Sequence, residues 1–202
     1  MLTMQHSMNT RVHEDWIGQE FEWYRAIWLE CGELIEHFGY KWWKKQVPDL
    51  PQVQLEAIDI WHFGLSALFR EDTSIESLAQ EIQAELSNHK PSGLEVREAT
   101  EALALNSLET RSFSPSLFWD LMTSVDLDFD SLYTAYVGKN VLNFFRQDHG
   151  YKDGSYIKQW AGREDNEHLV DLLEELDHNA ADFSEQVYAA LKTRYQEVAA
   201  SG

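Results

Sequence analysis

Apolar residues recur along this chain at intervals of three and four rather than two, the spacing of helices that each bury one face. Trp23, Ile27, Leu34 and Phe38 share one stripe at about 100° per residue, which predicts a long first helix from about Asp15 to Phe38, stopped by Gly39. A second begins after Pro48-Asp49-Leu50-Pro51 and runs to about Phe69. Leu55, Ile58, His62, Leu65 and Phe69 form one stripe on it, and Ile60, Phe63 and Ala67 another. Residues 74–110, rich in Glu, Ala and Leu, read as two amphipathic helices separated by Lys90-Pro-Ser-Gly93, a helical sub-domain or dimer surface. Ser114-Pro115 starts another helix, to about Val125. A further one covers roughly Asp130 to Asp148, followed by a turn-rich ordered loop over 150–162. Ala180, Phe183, Val187 and Leu191 announce a last helix. The pattern predicts an all-α multi-helix bundle, with residues 1–202 as one domain.

Composition narrows the partners. Sixteen Lys and Arg against 35 Asp and Glu leave a net charge of −19, which disfavours binding of a nucleic-acid polymer through a basic surface. The start of the chain lacks a basic stretch followed by an apolar run. The longest apolar stretch, Ala57 to Phe69, is short and carries Asp59 and His62, so neither leader nor membrane span is expected. The single cysteine, Cys31, allows no internal disulfide, and a soluble cytoplasmic protein is the default expectation.

Charge placement adds chemistry to this picture. Between Leu50 and Phe69 the only formal charges are Glu56 and Asp59, and both fall among apolar stripes. Burying two acids costs several kcal/mol per ion unless each is paired or metal-bound. Glu30-x-x-Glu33 on the preceding helix shares one face, and two such helices packed antiparallel would bring four carboxylates to one point. An all-oxygen donor set of this kind suits Mg²⁺ and, through it, substrate phosphates. E-x-x-E alone is a weak signal, more readily read as solvated surface; the Glu56 and Asp59 pair carries the signal.

The few basic residues gather elsewhere. Lys139, Asn143 and Arg146 fall at i, i+4 and i+7 on one helical face, and Lys152, Lys158 and Arg163 follow them, against only Asp148 and Asp153. Such a face either grips an oligophosphate or pairs with neighbouring acids. Of the many aromatic rings most belong to the core, with Trp42, Trp43 or Phe63 available to stack on a base. His62, on an apolar stripe, reads as a satisfied core histidine, and Cys31 as buried rather than nucleophilic.

The segments Glu22-Trp-Tyr-Arg-Ala-Ile-Trp-Leu-Glu-Cys-Gly-Glu33, Lys41-Trp-Trp-Lys44 and Glu56-Ala-Ile-Asp-Ile-Trp-His-Phe63, with Tyr136-Val-Gly-Lys-Asn-Val-Leu-Asn-Phe-Phe-Arg146 through Tyr156 and Glu164-Asp-Asn166, resemble the dimeric dUTPase family. The resemblance covers the first 70 residues and about 130–170. It implies an all-α homodimer of the nucleotide pyrophosphohydrolase type that hydrolyses dUTP, and dUDP also, to dUMP with Mg²⁺. Carried over by motif, Glu30, Glu33, Glu56 and Asp59 would hold metal, with Glu30 or Glu33 also serving the attacking water. Lys139, Asn143, Arg146, Lys152 and Lys158 would hold phosphates. Gln5, Asn9, Trp43 and Phe63 would meet the base, and Asn166 the sugar or its neighbourhood. Gly32 departs from the alanine common at that place. Two other readings stay open at this level: a related pyrophosphohydrolase with another nucleotide, and a non-catalytic acidic binding module.

Overall fold

The structure, a computed structural model, describes residues 1–199. Among them the chain forms helices α1 (Leu2–Val12), α2 (Trp23–Phe38), α3 (Leu50–Leu68), α4 (Ile75–Asn88), α5 (Val96–Thr110), α6 (Pro115–Ser124), α7 (Phe129–Asp148), α8 (Asp165–Glu175) and α9 (Phe183–Ala199). The only strands among these residues, β1 (Gln159–Trp160) and β2 (Arg163–Glu164), form one antiparallel hairpin with Trp160 opposite Arg163. The fold is all-α, and none of the described helices is long and apolar enough to cross a membrane. Two compact units divide the chain, one of residues 2–129 and one of residues 130–202 with Met1.

In the larger unit α2 and α3 pack along one another, α5 covers α2, α6 joins α5 and α4, and α1 lies on α3. The residues 74–125 thus build the same unit as the acidic helices. Local sequence explains the helix ends. Asp49 accepts from the Gln52 amide and Pro51 occupies the first turn of α3, while Ser74 and Ser114 cap α4 and α6 through their hydroxyls. Ile27, Cys31 and Leu34 of α2 and Val53, Ala57, Ile60 and Leu65 of α3 fill the core between them. Gly64 permits this packing at one tight place: a Cβ there would sit 2.6 Å from the Phe113 ring.

Two elements differ from the sequence expectation. The first long helix starts at Trp23 rather than Asp15, because residues 14–20 turn back and bury Trp16 to 2 % exposure edge-on against Trp23 and Phe69. Closing that ring cluster, with Glu20 in left-handed backbone at φ 50°, replaces the two turns of helix expected there. The N-terminal helix α1 was not foreseen, since its apolar face is thin: Leu2 and Met8 share burial with the amides Gln5 and Asn9.

The smaller unit is organised on Phe145 of α7. His149 stacks on this ring at 3.9 Å, and Tyr156, Trp160, Tyr188 and Tyr195 surround it. Trp160, from the short hairpin, is fully buried, donates to the Ile157 carbonyl and stacks on His168. The loop of residues 150–162 is therefore ordered, with Gly150, Gly154 and Gly162 all at positive φ. Gly138 lets α7 approach α8, where a Cβ would come within 2.7 Å of Leu173.

Candidate functional site

Glu30 and Glu33 stand one turn apart on α2, and Glu56 and Asp59 one turn apart on α3. Packing of these helices brings a carboxylate oxygen from each of Glu30, Glu33 and Glu56 within 4.8 Å of one another. Asp59 lies close enough for its charge to act on Glu30. Glu30 is partly buried, and its pKa is pushed up to about 8 by burial first and then by the charges of Asp59, Glu33 and Glu56, with a hydrogen bond to Glu56. The crowding of acidic oxygens that opposes ionisation of Glu30 is what an oxygen-liganded cation would relieve, so the donor set fits a hard divalent ion such as Mg²⁺. His37 Nε2 approaches Glu56 Oε1 at 3.5 Å from the end of α2. Beside the cluster Cys31 is buried, and burial with the Glu30 charge lifts its thiol to about 12, which leaves it inert.

One to two turns further along α3, on the side that carries Asp59, lie His62, Phe63 and Ser66. Here α1 contributes Gln5 and Asn9, and the two expected amides come together in a buried network. Gln5 Nε2 donates to Asn9 Oδ1 at 3.0 Å and to Ser66 Oγ at 3.0 Å, and Asn9 Nδ2 donates to Ser66 Oγ at 2.9 Å. Gln5 Oε1 faces His62 Nδ1 at 2.9 Å. Phe63, half-buried, stacks on Trp23 with ring centroids 6.3 Å apart. A cleft of about 620 Å³ bordered by Trp16, Trp23, Ser66, Phe69 and Arg70 opens at this end of α3. Trp43 is placed elsewhere, on the turn after α2, 60 % exposed and edge-on to Tyr40 and Trp42.

In the smaller unit Arg146, Asn143 and Asn166 converge, but on an acid. Arg146 Nε and Nη2 form a two-pronged pair with the fully buried carboxylate of Asp165, both bonds 2.8 Å. Arg146 Nη1 donates to Asn143 Oδ1 at 3.1 Å, and Nη2 also donates to Asn166 Oδ1 at 3.3 Å. Tyr156 donates to Asp165 Oδ2 at 2.8 Å. Burial pulls the guanidinium pKa down, yet the hydrogen bonds and charge of Asp165 outweigh it and hold Arg146 above its ordinary value. Asp165 is correspondingly held below the usual carboxylate range. Of five guanidinium protons four are engaged, leaving one on Nη1. Lys139 is buried on α7, Lys152 is exposed, and Lys158 pairs with Glu164 at 3.1 Å on the surface.

Sequence reading missed Ser66, Asp165 and the partner that His62 takes. Ser66 left a faint trace as a polar residue at i+7 from Asp59 and i+4 from His62 on an otherwise apolar helix. Asp165 sat inside a quoted motif, but its bond to Arg146 spans 19 residues and has no spacing signature. The Gln5 and Asn9 spacing of four was visible; what they bond to was not.

A family model described as dUTPase matches residues 1–151, a span that contains the acidic cluster, the amide network and α7. No curated protein matches the chain.

Proposed function

The chain belongs to the dimeric, all-α dUTPase family, and on that premise we propose that it hydrolyses dUTP, and dUDP as well, to dUMP with Mg²⁺. The observation that carries this reading is the layout of one face of α3: acids at Glu56 and Asp59, and the buried amides of Gln5 and Asn9 assembled over His62 and Ser66. Seven residues from Asp59 to Ser66 span about 10 Å at 1.5 Å per residue, the reach from the phosphates of a nucleotide to its base.

Glu30, Glu33, Glu56 and Asp59 hold the cation. When bound, Mg²⁺ supplies charge neutralisation of the oligophosphate and acidifies water. Glu30 or Glu33 orients the attacking water and takes its proton. Lys139, Lys152 and Lys158 lend positive charge to the phosphates as the bond to the leaving group breaks. Arg146 contributes its remaining Nη1 proton and Asn143 its amide. Asn166, whose Oδ1 accepts from Arg146, keeps its amide nitrogen for the sugar. Gln5 and Asn9 read the base edge, and Phe63, on the same stretch of α3, offers a ring to stack on it. Leu29 of α2 and Leu105 and Leu108 of α5 expose apolar surface on two packed helices, which supports self-association into a homodimer.

Phosphate and pyrophosphate release from dUTP and dUDP with and without Mg²⁺ tests the reading. Turnover of both, abolished by chelation and by Glu56→Gln or Asp59→Asn in folded protein, is the expected result. Cleavage of another nucleotide in a substrate panel with dUTP untouched would reject the substrate; unchanged turnover in both variants would reject the metal site.

A further inference from the structure

The helix α9 carries none of the residues assigned to the cation, the phosphates or the base, yet it reaches into the loop that bears Lys152 and Lys158. Tyr188, Leu191 and Tyr195 fall at i, i+3 and i+7, one stripe of that helix. Leu191 is fully buried, and Tyr188 donates to Asp148 Oδ2 at 2.8 Å at the end of α7. Tyr195 meets the middle of the loop twice. Its ring stacks on Tyr156 with the planes 12° apart and the centroids at 5.6 Å, and its Oη accepts the Ile157 N–H at 3.3 Å. The two ends of the loop are tied separately: Ser155 and Tyr156 donate their N–H groups to the Gly150 carbonyl, and the Asp165 N–H donates to the Lys158 carbonyl at 3.0 Å. Between those ties Tyr195 fixes both the ring at 156 and the backbone at 157. The effect extends to Arg146, because Tyr156 Oη donates to Asp165 Oδ2, the same oxygen that accepts from Arg146 Nε, both at 2.8 Å.

We propose that Tyr195 is a positioning residue for the oligophosphate: through Tyr156 and Ile157 it holds Lys152, Lys158 and the Asp165–Arg146 pair in the arrangement that receives the phosphates. The inference rests on the nucleotide-hydrolase reading above. Cations on a loose loop must be ordered when the anion arrives, and that ordering subtracts from the binding energy. A loop clamped beforehand avoids the loss. The neighbouring residue anchors α9 by another route. Arg194 donates to His168 Nδ1 at 3.4 Å, and His168 Nε2 donates to the Trp160 carbonyl at 2.8 Å. Removing the Tyr195 side chain therefore frees the loop while Arg194, Tyr188 and Leu191 still seat the helix.

The test measures KM and kcat for dUTP with Mg²⁺, and competitive inhibition by pyrophosphate and by deoxyuridine, in wild type, Tyr195→Phe and Tyr195→Leu. Phe keeps the stack on Tyr156 and loses the bond to Ile157; Leu loses both. Tyr195→Phe is expected to raise KM for dUTP and Ki for pyrophosphate by roughly 2–10-fold, and Tyr195→Leu by roughly 10–100-fold, with kcat little changed. Deoxyuridine has no phosphate, so its Ki should stay at the wild-type value in both variants. KM and Ki do not depend on the fraction of enzyme folded, so lost stability alone would lower the apparent kcat and leave them unmoved. Wild-type KM and pyrophosphate Ki in Tyr195→Leu overturn this inference alone. Equal weakening of pyrophosphate and deoxyuridine also overturns it, since Tyr195 would then support the whole site rather than its phosphate side. A wild type that does not turn over dUTP overturns it together with the reading beneath it.

Discussion

Glu30→Gln should make the metal-free protein more stable while removing its response to Mg²⁺. In the native fold Glu30 titrates at about 8 instead of its ordinary 4.5, because burial and the charges of Asp59, Glu33 and Glu56 oppose its ionisation. Below pH 4.5 the group is protonated in both folded and unfolded chains and no penalty exists. Between 4.5 and 8 the unfolded chain releases the proton while the folded one retains it, so native stability falls as pH rises. Above 8 both are ionised and the full penalty applies. At about 1.36 kcal/mol per pH unit the ceiling is roughly 5 kcal/mol. Glu30 is only partly buried, and solvent screening reduces this to about 1–2 kcal/mol. Gln keeps the shape and a donor for Glu56 but never ionises. For a chain of this size the gain corresponds to roughly 2–8 °C in Tm. Thermal melts of wild type and variant in EDTA, from pH 5 to 9, should show a difference that grows to about pH 8 and then levels. Mg²⁺ should raise the wild-type Tm and leave the variant nearly unmoved. A variant less stable than wild type at pH 8, or a difference independent of pH, would refute mutual repulsion as the state of the metal-free cluster.

Arg146→Ala should unfold the smaller unit rather than only weaken phosphate binding, since it strands the fully buried Asp165 carboxylate at a cost of about 3–5 kcal/mol. Amide exchange in α7 and α8 should accelerate, and unchanged protection would refute the pin. Because Asp165 is held below its ordinary 3.8, the stability it contributes is present above that pH and is lost as pH falls through its lower native value. Acid unfolding monitored by the Trp160 environment should show this loss in wild type and not in Arg146→Ala. Gly32→Ala should stabilise α2 by about 0.5–1 kcal/mol, because a Cβ there meets nothing within 4 Å. Urea denaturation should shift upward with Mg²⁺ binding unaltered, and a loss of metal binding would show that the helix needs glycine beside Glu33.

Most of the helical plan was readable in order along the chain, because helix-forming patterns are local: period, proline at the start of α3 and α6, and a glycine stop after α2. The start of α2 escaped because Trp16 gains more from a distant ring cluster than from continuing the helix, and only packing reveals that competition. The acids at Glu56 and Asp59 were conspicuous for a similar local reason, two charges in an uncharged helix. Their convergence with Glu30 and Glu33, and the rise in Glu30 basicity that follows, depend on how α2 and α3 lie against each other.

The cations teach the reverse lesson. Lys139, Asn143 and Arg146 share a helical face as their spacing requires, yet three-dimensional proximity gave Arg146 to Asp165 and set three of its five protons to holding α8 in place, with a fourth on Asn143 of its own helix. Residue type and period decide which face a side chain occupies, because those are properties of one helix. Protonation, amide orientation and the choice between ligand and partner are set by atoms arriving from elsewhere in the chain. For that reason Ser66, unremarkable in the sequence, becomes the hub of a whole hydrogen-bond network once α1 is laid on α3.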